Sequence, residues 1–363
     1  MAESEAAARV LREKPKPVVK PGEFVFSVVG LQHGHIYGMT RALLEAGATL
    51  GYVWDSDPNN VAAFQRTFPQ AWAARCEEEI LADAKTQLIA SAAVTSERCA
   101  LGIRAMRAGK DFFSDKAPMT KLSQLGKARE AVRETGRKYM VYYSERLHSE
   151  ASVLAGYLIE AGEIGRVLHV EGFGPHRLGT AGRPDWFFEK EKYGGILCDI
   201  GSHQIEQYLF YAGEEDAEVG SSRIANYAHP QHPELDDFGD CTLTGAKGTT
   251  NYFRVDWFTP DGLSTWGDGR TFILGTEGYI EIRKFVDIAS GRAGGDQIYL
   301  VNRRGEQHID ASGLTGYPFF GEMILDCLNR TERAMTQAHA FKAAELCLRA
   351  QANATAIACA KGV

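Results

Sequence analysis

The sequence predicts an α/β protein in two parts, a doubly wound parallel sheet followed by an α+β domain built on a large, predominantly antiparallel sheet. Three observations carry that prediction. The 363 residues exceed the size at which a single core keeps growing, so two domains are expected. From residue 24 to residue 142 short β-rich runs alternate with helical patterns, which is how a parallel sheet covered by helices reads. From residue 217 to residue 301 strand patterns follow one another with turns and no long helix between them, as in an antiparallel sheet.

Taken in order, residues 1–22 are charged and proline-bearing and lack the apolar segment of a signal peptide, so they are expected to be a disordered leader. A first strand over 24–29 stops at Gly30, and a helical pattern begins near Tyr37 and runs to Ala46. A second strand over 49–54 ends in Asp55, and Pro58 opens a helix through Phe68. Strand 88–92, helix 97–108 ended by Gly109, strand 111–114, helix 123–135 ended by Gly136 and strand 139–142 complete a first domain over 23–146. The second domain, 147–363, begins with a long helix to Glu160 capped by Ser144-Glu145-Arg146. A strand over 165–174 and a polar, aromatic loop over 175–186 follow. Strands are expected at 217–225, 240–244, 249–257, 271–274, 279–283 and 297–301, a glycine-rich loop at 291–295, and closing helices at 319–328 and 335–360.

Composition narrows the partners. A net charge of -7 argues against nucleic acid or an anionic membrane surface, and 44% hydrophobic with 24% charged residues is ordinary for a soluble globular protein. No apolar run is long enough to span a bilayer. Seven cysteines, none in a C-x-x-C pair, suggest neither a disulfide framework nor a zinc site. A cytoplasmic protein acting on small molecules fits best.

The turn after the first strand bears on a dinucleotide. Gly30 permits a tight turn, Gly34 leaves room for a pyrophosphate, and Gln32, His33 and His35 surround the N-terminus of the next helix, where free N–H groups and the dipole favour an anion. Asp55 stands where it can accept hydrogen bonds from both adenosine ribose hydroxyls. Its charge would repel the extra phosphate of NADP, so NAD is favoured. Ala92-Ala93 and Asp115-Lys116, at the carboxyl ends of two further strands, border the same crevice. As a G-x-G-x-x-G fingerprint the match is loose, since Gln32 and His35 replace the second and third glycines. His33 and His35 invite a metal reading, but with no third ligand nearby in sequence no metal is expected.

A second stretch, residues 194–207, opens with Gly194-Gly195 and places Asp199 and His203 four residues apart, on one face of a helix. An acid beside a histidine near neutral pH suits proton transfer from a hydroxyl, and the glycine pair would make room for a substrate or a nicotinamide. A buried helix whose histidine is satisfied by the acid is the structural alternative.

With the loose dinucleotide turn, Asp115-Lys116 after a strand, and Gly194-Gly195 followed by Asp199-x-x-x-His203, the sequence resembles the Gfo/Idh/MocA oxidoreductases, the family of glucose–fructose oxidoreductase and inositol dehydrogenase. The likeness covers nearly the whole chain after Pro21. It implies an N-terminal Rossmann domain binding NAD or NADP, and a C-terminal sheet that binds a sugar or polyol and makes dimers or tetramers. It also implies a lysine beside the nicotinamide, matched here by Lys116. One departure is that the family's Glu-Lys-Pro reads Asp115-Lys116-Ala117-Pro118.

Oxidising a secondary alcohol needs a hydride acceptor, a base and a positive group for the developing alkoxide. His203, with an unperturbed pKa of about 6.5, is the expected base, Lys116, at about 10.4, the charge stabiliser, and Asp199 either the orienter of the histidine or itself a contact to a substrate hydroxyl, so that Asp199 and His203 are also candidate substrate contacts. Arg146, His176, Arg177, Arg183, Trp186 and Tyr193 lie in or beside loops expected to border the cleft and are candidate contacts for a hydroxylated or carboxylated sugar. Two other functions remain open at this point. One is a glycoside hydrolase or lyase of the same fold that keeps NAD bound and oxidises transiently, and the other is a non-catalytic ligand sensor.

Overall fold

The computed structural model describes residues 4–289 and 294–358. A short helix, α1 (Glu5–Val10), precedes the first sheet. That sheet is assembled from β1 (Val25–Val29), α2 (His35–Glu45), β2 (Thr49–Trp54), α3 (Pro58–Thr67), β3 (Trp72–Ala73), α4 (Glu77–Ala82), β4 (Thr86–Ser91), α5 (Thr95–Arg107), β5 (Asp111–Asp115), α6 (Leu122–Thr135) and β6 (Tyr139–Tyr142). All its strand pairs are parallel, in the order β3-β2-β1-β4-β5-β6, so the order reverses between β1 and β4. Strands β1, β4, β5 and β6 are nearly all buried, as a sheet covered on both faces requires. This is the doubly wound Rossmann arrangement, whose ligands sit beyond the carboxyl ends of the strands at the point of reversal.

Two helices, α7 (Ser144–Leu147) and α8 (Glu150–Glu160), lead to β7 (Val167–Pro175). Two 3-10 turns, Thr180–Gly182 and Asp185–Phe188, and three helices follow, α9 (Lys190–Tyr193), α10 (Ile196–Asp199) and α11 (Gly201–Ala212). The second sheet then forms from β8 (Ala217–Ala225), β9 (Phe238–Gly245), β10 (Thr250–Asp256), β11 (Arg270–Gly275), β12 (Gly278–Arg283), β13 (Gln297–Asn302) and β14 (Gly305–Asp310). Helices α12 (Pro318–Asn329) and α13 (Gln337–Ala352) and the short strand β15 (Thr355–Ala356) end the described chain. Its nine strands run β14-β13-β12-β11-β7-β10-β9-β8-β15. Only β7–β10 and β8–β15 pair in parallel; the rest are antiparallel. Helices α8, α11 and α13 pack on one face.

The structure departs from the expectations at several places. Residues 4–22 are not a disordered leader. Ala6 and Ala7 are buried where α1 packs on α8, Arg9 pairs with Glu163 at 3.0 Å, and the Val18 amide donates to Ala46 O at 2.9 Å, so the segment ties α8 to the first sheet. The apolar contacts come from two alanines, too weak a pattern to announce a docked helix. The helix expected to run unbroken to Glu160 is interrupted at His148, and Ser149 caps the second piece by accepting from the Ser152 amide at 3.2 Å. The closing helix stops at Ala352, and Thr355–Ala356 join the sheet beside β8. Strands β3 and β14 and helix α4 were not anticipated; β3 has two residues and β14, rich in polar side chains, has no alternating apolar face. Residues 291–293 of the glycine-rich loop and residues 359–360 of the expected last helix lie outside the described residues.

Candidate active site

The carboxyl end of β5 and the junction of α10 with α11 face each other. Lys116 follows β5 directly, and the peptide bond after it, Lys116–Ala117, is cis. Arg98, fully buried on α5, donates to Ala117 O at 2.9 Å and lies 3.1 Å from Asp115 Oδ2, fastening this segment to the Rossmann core. Across the gap α10 ends on Asp199, Ile200 stays in helical conformation, and α11 begins at Gly201, so Asp199 and His203 stand one turn apart.

Lys116 Nζ donates to Asp199 Oδ1 at 2.5 Å, and both side chains are nearly buried. Burial alone would raise the Asp199 carboxyl, but the Lys116 ammonium and its hydrogen bond overcome it and hold the group at about 2. Asp199 therefore serves the lysine, which corrects the expectation that it orients the histidine. His203 is 1% exposed and its Nδ1 has no hydrogen-bond partner among the described residues. Burial pushes its ring down to about 3 against an opposing pull from Glu145, so the imidazole is neutral at physiological pH and Nδ1 is a buried nitrogen left without a partner among the described residues. The expected value near 6.5 is corrected for the same reason.

The glycine pair has a different duty from the expected one. Gly194 and Gly195 both take positive φ, and a Cβ on Gly195 would come 2.2 Å from the Gln351 side chain, one on Gly194 3.0 Å from Thr120. Gln351 Oε1 accepts from the Leu197 amide at 2.9 Å. The pair makes room for α13 and for the segment after Lys116, and thereby seats α10; it does not make room for a ligand.

The turn after β1 closes the site from the other side. Gly30 has φ 83°, and its missing Cβ lets Ala93 approach, since one built there would lie 2.6 Å from Ala93 Cβ. The Ala92 carbonyl accepts from the His33 amide at 3.0 Å. Gly34 caps α2 with nothing within 4 Å of a built Cβ, so the helix N-terminus opens onto free space. Asp55 accepts from the Leu31 amide (2.6 Å), Gln32 Nε2 (2.8 Å), the Asp57 amide (2.9 Å) and Asn60 Nδ2 (3.2 Å). These features fit a dinucleotide: a tight turn, an uncovered helix N-terminus, and a carboxylate at the end of β2 whose side-chain donors can give way to ribose hydroxyls.

His33 Nδ1 and His35 Nδ1 converge on Asp115 at 3.0 and 2.8 Å. Sequence supplied no third ligand near the two histidines, yet folding brings one from β5, and the three donor atoms lie within 4.8 Å of one another, close enough to share a cation. The Arg98 guanidinium already balances the Asp115 charge, and the Lys116 amide donates to Asp115 Oδ1 at 2.8 Å, so the carboxylate is provided for without a metal. The His35 and His203 ring centroids are 6.5 Å apart, which brings the dinucleotide turn beside the catalytic candidates.

The loop candidates divide. Arg146 donates through Nε to Glu206 at 2.8 Å and stacks on Phe210, so it is bound into the protein rather than free for substrate. Arg177 donates to the carbonyls of Pro260 (2.8 Å) and Leu263 (2.7 Å) and pins a loop. The Tyr193 hydroxyl accepts from the Asp236 amide at 2.9 Å and donates to Glu234 O at 3.2 Å. Each looked available because its partner is remote in sequence. His176, packed between Trp257 and Trp266 and pushed by burial to about 4, is close enough to feel the charges of Glu145, Lys116 and Asp199. Arg183 lies over the rings of Phe187 and Trp257. Trp186 is half-buried with its indole N–H unpartnered among the described residues.

Sequence reading missed Glu145 and Lys284. They form a buried ion pair at 2.9 Å, with Gln204 Nε2 donating to the same carboxylate oxygen at 2.9 Å and Glu145 Oε1 left without a hydrogen bond among the described residues. Glu145 stood in a stretch that reads as a helix cap, and nothing local to Lys284 signals its partner 139 residues away.

The profile of the GFO/IDH/MocA C-terminal domain matches residues 154–281. Over 214 residues the chain is 30% identical to a protein of Bacillus subtilis (strain 168) named scyllo-inositol 2-dehydrogenase (NAD(+)), a match covering 56% of this chain and 57% of that one. Over 131 residues it is 28% identical to D-xylose dehydrogenase of Paenarthrobacter nicotinovorans, covering 35% of this chain and 34% of that one. The chain thus spans about half or less of the curated relatives it matches. A crystal structure from Erwinia carotovora atroseptica SCRI1043, assigned as an oxidoreductase, is 50% identical and superposes with a TM-score of 0.90 over 93% of this chain and 100% of that chain. Levoglucosan dehydrogenase in complex with NADH, at 18% identity, covering 91% of this chain and 97% of that one with a TM-score of 0.72, shares the fold.

Proposed function

The chain belongs to the Gfo/Idh/MocA family of oxidoreductases, and from that premise we propose that it is an NAD-dependent dehydrogenase of a secondary hydroxyl on a sugar, polyol or sugar-derived acid. The observation that carries the proposal is the neutral His203, its Nδ1 unpartnered among the described residues, standing one turn from an Asp199 carboxylate that grips the Lys116 ammonium. The names of the curated relatives, an NAD(+)-dependent inositol dehydrogenase and a xylose dehydrogenase, support the reaction class.

A bound nicotinamide dinucleotide supplies the hydride acceptor. The residues to hold it are Gly30, Gln32, Gly34 and Asp55, with His33, His35, Ala92, Ala93 and Asp115 bordering the crevice. The Asp55 carboxylate at the end of β2 supports NAD over NADP. His203 accepts a hydrogen bond from the substrate hydroxyl and then takes its proton. Because the ring is neutral across the physiological range, the base form is always present; the Glu145 carboxylate opposes the loss of proton affinity that burial imposes without overcoming it. Lys116 places its ammonium against the oxygen on which charge develops, and Asp199 fixes that ammonium. His176, Arg183 and Trp186 are the loop residues left to meet the substrate.

The division into a dinucleotide domain over 23–146 and a substrate domain from residue 147 belongs to the same proposal. So does a homodimer or homotetramer through the second sheet, supported by Phe258, Trp266 and Leu274, each at least 40% exposed. No helix among the described residues is long and apolar enough to cross a membrane; a cytoplasmic location is supported by the free thiols of the six described cysteines.

The test is incubation with NAD and a panel of polyols, sugars and sugar acids, following NADH and ketone together. Equal amounts of both support the dehydrogenase. Cleavage of a glycoside with no accumulating NADH replaces it with the hydrolase or lyase reading, and undiminished function after Lys116→Ala and His203→Ala replaces it with a sensor.

A further inference from the structure

Three ion pairs stand around the candidate site. Lys116 meets Asp199 at 2.5 Å, Arg98 meets Asp115 at 3.1 Å and Lys284 meets Glu145 at 2.9 Å. Arg183 is left over. Its Nε donates to Leu178 O at 2.8 Å and its guanidinium lies 4.3 Å from the Phe187 ring centroid and 4.7 Å from that of Trp257. Among the described residues its two terminal nitrogens have neither a hydrogen-bond nor an ion-pair partner. Packing ties it to the candidate site: Trp257 also meets the His176 ring, His176 Nδ1 donates to Gly174 O, and a Cβ on Gly174 would lie 3.1 Å from the side chain of Ile200, the residue after Asp199, in keeping with the influence of the Arg183 and Asp199 charges on each other's ionisation.

A partly desolvated cation without a counter-ion is costly, whereas a carboxylate brought to it restores the balance. The guanidinium suits that task. Its planar fork matches a carboxylate with two parallel N–H···O bonds, and the aromatic rings hold the plane in place, so little freedom is lost when the ligand docks. Next to it the His176 ring, 5.6 Å from Trp257, gives its Nδ1 hydrogen to Gly174 O at 3.2 Å and so keeps Nε2 as an acceptor for a hydroxyl.

We propose that the substrate is a sugar acid, an aldonate or a uronate, whose carboxylate is held by Arg183 while the hydroxyl being oxidised lies at His203. This rests on the dehydrogenase reading above. The reaction balances as a two-electron oxidation: the carbinol hydride goes to NAD, the hydroxyl proton to His203, and the product is the keto acid with its carboxylate unchanged.

The experiment compares each aldonate with the neutral alditol of the same configuration, in the full-length protein with NAD, and repeats the acids with Arg183→Met and Arg183→Lys. Loss of a charge-assisted pair predicts a rise in KM for the acid of roughly tenfold to a hundredfold in Arg183→Met, partly recovered in Arg183→Lys, with kcat less affected. Thermal shift with NADH present measures binding independently and also establishes that the variants are folded. Acid binding that vanishes in Arg183→Met while nothing is oxidised sinks the dehydrogenase reading and leaves the carboxylate site standing. An alditol used or bound as well as its acid, an unchanged acid KM in Arg183→Met, or no binding of any acid overturns the site.

Discussion

Lys116 and Asp199, one following a strand of the Rossmann sheet and the other ending a four-residue helix 83 residues later, meet at 2.5 Å in a buried ion pair. The contact joins the end of β5 to the end of α10 at the candidate site. Breaking one side of such a pair strands a charge, so Lys116→Met or Asp199→Asn is expected to cost about 3–5 kcal/mol of stability. Lys116→Met combined with Asp199→Asn should cost less than the two single changes predict in sum. Denaturant unfolding measures this, and strictly additive losses would show that the pair is not coupled. Every one of these variants is expected to lose turnover.

His203→Asn removes the proposed base while keeping a polar side chain. A fall in kcat of roughly 10²–10⁴ is expected, with the NAD-dependent rise in melting temperature retained. Wild-type kcat in the variant would move the base elsewhere.

Asp55 discriminates between dinucleotides by charge in this account. Asp55→Ala is expected to lower the ratio of kcat/KM for NAD over NADP by at least about tenfold, since even one charge-assisted contact is worth on the order of 1.4 kcal/mol or more. Because Asp55 also braces Leu31 and Asp57, part of the loss with NAD comes from a loosened turn. An unaltered preference ratio contradicts the assignment.

Acid should destabilise the protein in a defined window. Burial holds His203 at about 3 and His33, His148 and His176 at about 4, all below the ordinary 6.5. Between those values the unfolded chain binds protons that the folded one refuses, so stability rises with pH across the window and is lost as pH falls from 6.5 towards 4. Each such histidine contributes a slope of up to about 1.4 kcal/mol per pH unit; His203, buried outright, contributes most and the part-exposed three less. A melting temperature that stays level over this range would contradict the burial of these neutral rings.

The alternation of strands and helices and the switch to an antiparallel pattern were legible because both depend on short-range periodicity. So were Lys116, Asp199 and His203 as a group, since each sits in a local motif. Their division of labour was not. Asp199 and His203 share a helical face, and only the fold reveals that the acid is taken by a lysine from the other sheet. Gly194-Gly195 looked like space for a ligand because the side chain that fills it, Gln351, arrives from the far end of the chain. Arg146 and Tyr193 were misread for the same reason, their partners Glu206 and Asp236 being dozens of residues away. Asp115 completing a cluster with His33 and His35, and Lys284 meeting Glu145, are likewise products of topology, invisible to any window along the sequence.

The most direct test of the central claim is the fate of the carbinol hydrogen. A sugar acid or polyol from the panel, deuterated at its hydroxyl-bearing carbons, is incubated with the protein and NAD, and the recovered dinucleotide is analysed. The account predicts one deuterium at the reacting carbon of the nicotinamide for each ketone formed, and no transfer by Lys116→Met. Ketone formed without label in the dinucleotide, or label released to water, would contradict it.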